Sequence, residues 1–172
     1  MQVWARQSGI TFIESLLVLA IVAILSGLAV PSFKWLREVA KHKRVTHQLH
    51  AAVLTARHTS VMEDVATYIC PSPNAFPSDV KEAPECGNDY GLGVAVWEDA
   101  SGVLRLIRLW QWPLTRITNR SGTQAVEAHV RFNAQGLASQ NITWSTCIGE
   151  QNSSLVLNRV GRPHIRSQWG VC

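Results

Sequence analysis

From Ser15 to Phe33 the chain has no charged side chain, a gap of 19 residues in a sequence of 172. As a helix that stretch reaches about 29 Å, close to the ~30 Å hydrocarbon core of a bilayer. It has no polar face, which excludes an ordinary surface helix. Only Arg6 precedes it, and it is longer than a usual signal-peptide core, so a conventional cleaved secretory signal fits poorly. Other absences narrow the function. The four cysteines form no CxxC and no Cys/His cluster, which leaves no zinc signature. No Ser/His/Asp or Cys/His arrangement has a recognisable local form, and the GxG of Gly91 and Gly93 lacks the rest of a dinucleotide fingerprint and reads as a turn or bulge. There is no internal repeat and no low-complexity tract. Nothing calls for a metal, a cofactor or catalysis, so a non-enzymatic protein is expected.

The length allows one ordinary domain beside the apolar segment. After Pro31 the hydrophobic period becomes helical: Leu36, Val39, Ala40, Leu49, Ala52, Val53 and Ala56 recur at three and four residues. One long helix is expected from about Thr11 to about Val61. From Val65 onward short β-type runs follow, VATYIC, GLGVAVW, VLRLIRLW, VEAHVRF, NITWSTC and SSLVLNRV. They are separated by PSPNAFPSD, the Ser-Gly pairs at 101–102 and 121–122, and Asn133 to Gly136. The expectation is an α+β body in which an antiparallel sheet rests on the helix's apolar stripe.

Cys70, Cys86, Cys147 and Cys172 all lie beyond the apolar run. Four cysteines allow three pairings. Pairing neighbours, Cys70 with Cys86 and Cys147 with Cys172, closes two modest loops at about 3 kcal/mol each in the chain-entropy model. Bridges place the body in an oxidising compartment. The basic residues Lys34, Arg37, Lys41, Lys43 and Arg44 after the apolar run point the other way by the positive-inside rule. Charge is also divided along the chain. Residues 59–99 carry eight acids and one base, and residues 100–172 carry eight arginines and two acids, with no acid after Glu150. Such a dipolar chain suits head-to-tail contacts or a polyanion.

Gly9 followed by ITFIESLLVLAIVAIL resembles the class III signal of type IV pilins and type II secretion pseudopilins, with glycine, an apolar first mature residue and a glutamate in fixed register. Ile10 stands where that family usually has Phe, and Ser15 where Leu is common. The resemblance implies a leader of residues 1–9, cleavage between Gly9 and Ile10 by a prepilin peptidase, and N-methylation of Ile10. It further implies a transmembrane and filament-core helix half over 10–33, and a periplasmic or extracellular α+β domain over 34–172. The protein would then sit in the bacterial inner membrane by a single pass before joining other pilins or pseudopilins in a filament. That settles the topology conflict in favour of the cysteines. CPSP at Cys70 to Pro73, GLGVAVWED, VRFNAQG and the terminal NRVGRPHIRSQWGVC are similar to the GspH/FimT group of minor pilins and pseudopilins. GRPHIR favours the FimT side, of type IV pili, over the GspH side, of type II secretion, although Pro163 and His164 depart from the simpler glycine-arginine form.

Two candidate sites follow. Glu14, a lone carboxylate at the start of an apolar helix, is costly to bury charged. The resemblance gives it a partner, the new α-amino group of a neighbouring subunit. Arg159, Arg162 and Arg166, with His164 and Trp169, form a basic end that suits phosphates and stacking. For this group the FimT-like resemblance implies binding of double-stranded DNA for uptake in natural transformation, whereas composition alone fits a charged edge strand. His42, His47, His50 and His58 are expected at the helix surface. Trp97, Trp110, Trp112, Trp144 and Trp169 are expected in the core or at an interface.

Overall fold

A computed structural model describes residues 11–73, 80–81, 86–148 and 151–172, with the side chains of 28–32, 80–81, 148 and 151 outside the description. The chain divides into two compact units, Met1–Glu38 and Val39–Cys172. One helix, α1, runs from Phe12 to Met62 and continues through position 31. It begins on Thr11, whose hydroxyl accepts from the Glu14 backbone N–H at 3.4 Å. With glutamate three residues after threonine, this start has the sequence of a capping box. Asp64 follows the last turn at φ 55°, a left-handed position that ends the helix.

Nine strands follow among the described residues. β1 (Ala66–Pro71), β2 (Val80–Lys81), β3 (Gly93–Ala100), β4 (Val103–Gln111) and β6 (Val130–Phe132) make a five-stranded sheet in the order β2-β4-β3-β1-β6. β5 (Ile117–Thr118), β7 (Ile142–Ile148), β8 (Gln151–Leu157) and β9 (Pro163–Ser167) make a second sheet in the order β5-β7-β8-β9. Every pairing is antiparallel. The β3–β4 hairpin turns on Ser101 and Gly102, both at positive φ, the pattern of a two-residue turn whose twist suits the flanking strands.

One sheet is expected from the sequence; the described residues form two. The cause lies in β6, which is three residues long where a strand from Val126 is expected. Its outer edge is closed by the chain itself: Phe132 bridges Ala138, and Ser139 N–H donates to the Arg131 carbonyl at 2.8 Å. With that edge occupied, β7 has no place beside β6 and founds a second sheet.

Both sheets use the same helical stripe. Val45, Leu49, Ala52, Val53 and Ala56 are all buried and share one core with Ile69, Val94, Val96, Phe132, Trp144, Leu155 and Leu157. Ala52 and Ala56 let strands come close to the helix backbone, and the Thr67 hydroxyl of β1 donates to the Ala56 carbonyl at 3.0 Å. A smaller cluster of Cys70, Ala95, Trp97 and Leu104 lies apart from that core, with Cys86 packed against it. Glu98, 4% exposed on β3, is held by Arg105 directly across on β4. Disulfides join Cys70 to Cys86 and Cys147 to Cys172, the neighbour pairing among the three possible.

The turns of VRFNAQG and NRVGRPHIR, distant in sequence, meet in space. Gly136 and Gly161 both have positive φ, and a Cβ on Gly161 would overlap the carbonyl oxygen of Gly136 and crowd Arg57. Gly102 also has positive φ but faces open space. Gly161→Ala is therefore expected to lose stability through both backbone strain, about 1–3 kcal/mol, and the clash, whereas Gly102→Ala suffers the strain alone. Urea unfolding of the two variants checks this; equal losses would contradict it.

Candidate functional site

The first candidate is the start of α1. Gly9 and Ile10 lie outside the described residues. Glu14 sits in the first turn, exposed, where a carboxylate is favoured by the helix dipole. The capping-box spacing from Thr11 to Glu14 is thus a second reason for this residue, legible in the sequence as S/T-x-x-E. On either side of it Phe12, Ile13, Leu16, Leu17, Val18, Leu19, Ile21, Val22, Ile24 and Leu25 are all exposed, Phe12 at 82%. A contiguous apolar surface of this kind marks a binding or membrane face. Among the described residues no helix is long and apolar enough to cross a membrane. The uncharged run of the sequence nevertheless extends to Phe33, past the side chains at 28–32 that are outside the description.

The second candidate is the basic C-terminal edge. β9 is the outer strand of its sheet and is largely exposed, with Ser154 opposite Arg166 and Val156 opposite His164. Arg159 and Arg162 lie before β9 on an exposed turn organised by asparagines. Arg159 N–H donates to Asn141 Oδ1 at 2.8 Å and Arg162 N–H to Asn158 Oδ1 at 2.9 Å. After β9 the chain crosses the sheet. Gln168 N–H donates to the Asn152 carbonyl, the buried Ser154 hydroxyl donates to the Trp169 carbonyl at 2.6 Å, and Val171 N–H donates to the Arg120 carbonyl at 3.0 Å. The Cys147–Cys172 bridge completes the attachment.

This attachment presents Trp169, half-buried, to two guanidinium groups. Arg166 lies 4.5 Å and Arg120 4.1 Å from the ring centroid. Of the five residues read from the sequence, the structure brings Arg166 and Trp169 together and holds Arg159 and Arg162 on the preceding turn. Arg120 was not among them. It is 49 residues from Trp169, and the only signal in the sequence was the Ser-Gly turn that carries it. Asn119, Arg120, Ser121, Gly170 and Val171 line an open groove of about 530 Å³ beside the stack. Two cations on one indole leave their outward N–H donors available to an anion.

On the helix, His47 is exposed and His50 half-buried. Burial, with the nearby His47 and His164 imidazoles, holds His50 below its ordinary value. Trp97, Trp112 and Trp144 are buried, whereas Trp110 and Trp169 are half-buried, each under an arginine. Among the described residues there is no group of three or more His, Cys, Asp or Glu side chains placed to hold a metal.

Residues 4–30 match the family model described as the prokaryotic N-terminal methylation motif. The fold is similar to that of the type IV minor pilin FimU of Pseudomonas aeruginosa strain PAO1 in two crystal forms. One has a TM-score of 0.54 and 20% identity over 75% of this chain and 90% of that one. The other has a TM-score of 0.51 and 21% identity over 72% and 91%. The fold is that of a type IV pilin. No curated protein matches the chain in sequence. In the pilin-like fold described here, the methylation motif covers the head of α1, and the basic edge lies at the opposite end of the sequence, on the outer strand of the second sheet.

Proposed function

We propose that this chain is a minor pilin-type subunit that works by assembly. Its leader is removed between Gly9 and Ile10 by a prepilin peptidase, and Ile10 is N-methylated. The apolar half of α1 holds the subunit in the inner membrane, with the 34–172 domain in the periplasm, and then enters a filament of pilins. The observation that carries this reading is the methylation motif over residues 4–30, which leads directly into an exposed apolar helix. Glu14 faces the new amino terminus of a neighbour in that filament. Type IV pili are favoured over type II secretion by the GRPHIR segment and by the likeness to FimU, which is described as a type IV minor pilin. Mass spectrometry of the membrane fraction from cells that have a prepilin peptidase is expected to find a chain beginning at methylated Ile10. A chain still beginning at Met1 would overturn the proposal.

A second reading is favoured by the Arg120–Trp169–Arg166 stack: the basic edge binds duplex DNA, as FimT-like subunits do in uptake. Contacts of this kind go mainly to the backbone and weaken steeply with salt. The full chain in neutral detergent is expected to retard duplex DNA at low salt with little sequence preference. Arg166→Ala and Arg120→Ala should each weaken binding and lower the salt slope by about one. An unchanged shift in the double variant would remove this edge from DNA binding.

A further inference from the structure

A cavity of about 190 Å³ opens between β5, the turn at Gly122 and the Cys147–Cys172 bridge, lined by His42, Arg116, Thr118, Gly122 and the two cysteines. We propose that this cavity binds a small oxyanion, a phosphate or a carboxylate. Arg116 and Thr118 are two residues apart on an extended segment, so their side chains share one face, while Ile117 between them is buried in the core. Thr118 is 5% exposed, and its hydroxyl is buried with no hydrogen-bond partner. A buried hydroxyl left unpaired is costly, so a group that accepts from it is favoured there. Neighbouring hydroxyls do not serve it: Ser145, across from Thr118 on β7, is engaged with Ser154 at 2.7 Å.

The lining chemistry selects the ligand. A guanidinium at the rim and a hydroxyl inside supply donors beside the His42 imidazole, and among the described residues no Asp or Glu side chain lines the cavity. That set repels a cation and satisfies a planar or tetrahedral anion. The volume is several times the ~30 Å³ share of one water and admits a phosphate or a carboxylate with solvent. Gly122, in the lining, has positive φ and packs on the C-terminal segment, where a Cβ would meet the Val171 carbonyl oxygen at 2.5 Å. The same oxyanion chemistry has two sources, a free phosphate or a carboxylate side chain of another subunit. Residues 59–99, with eight acids, would provide the latter in a second copy. The site stands whether or not the chain enters a pilus or binds DNA.

The test is isothermal titration and thermal melting of the full chain in neutral detergent. Inorganic phosphate is expected to raise the melting temperature saturably, beyond chloride at matched ionic strength. Thr118→Val, close in shape, and Arg116→Gln should each weaken phosphate about tenfold or more, while Thr118→Ser should retain it. Competition by acetate would extend the site to carboxylates, and phosphate binding without it would restrict the ligand to phosphate. Phosphate indistinguishable from chloride, or a Thr118→Val protein that melts cooperatively and binds as the parent does, would overturn the proposal.

Discussion

One stripe of one helix carries the body. Val45, Leu49, Ala52, Val53 and Ala56 are buried against strands of both sheets, so two sheets with no strand pairing between them among the described residues are joined through α1. At roughly 25 cal/mol per Å² of apolar surface, burial on this scale is the dominant favourable contribution, and the small side chains at Ala52 and Ala56 set how closely strands approach. A larger residue at either position would push against the core and strain it. The polar link from Thr67 to the Ala56 carbonyl fixes the height of β1 on the helix, and the registers of β3 and β6 follow from β1.

With the inner faces committed to the helix, the edges and outer faces are the surfaces left to meet a partner. The second sheet shows how. Its outer face is polar, with Ser145, Asn152 and Ser154 buried beneath the crossing C-terminal segment. A polar seam needs partners, and the segment supplies them through its own backbone. The Cys147–Cys172 bridge closes a loop of sequence separation 25 and adds a covalent constraint at the end of that segment. Trp169 is thereby placed beside Arg120 and Arg166, and the two cysteines of the same bridge line the cavity at Thr118. Both candidate anion sites thus depend on one strap.

Much of the architecture was legible in residue order. The helix expected from Thr11 to Val61 spans Phe12–Met62, and the runs at β1, β3, β4, β7 and β8 form strands. The Ser-Gly turns and the Asn133 to Gly136 turn fall where expected. Long periodic segments carry their own signal. What was not legible depends on contacts across the fold. β2 and β5 have two residues each, too few for any period, and β9 begins on a proline and carries His164 and Arg166. The second sheet arises because Ala138 and Ser139 occupy the edge of β6, a pairing no local pattern announces. Arg120 joins Trp169 for the same reason. Thr11 with Glu14 is different: the capping-box spacing is local and legible, but it lies at the mouth of the apolar run, whose own signal points to a membrane and subunit role.

The two units of the chain divide its work. Val39–Cys172 has a complete core of its own, whereas the described residues of the first unit leave their large apolar side chains uncovered from Phe12 to Leu25. Such a surface is costly in water, and lipid or the helices of other subunits would relieve that cost. The most direct measurement replaces Glu14 with a photo-crosslinking residue in assembled filaments. A crosslink to the first mature residue of a neighbouring pilin-type subunit is the predicted result. Crosslinks to lipid alone, with the chain absent from sheared filaments, would contradict the account.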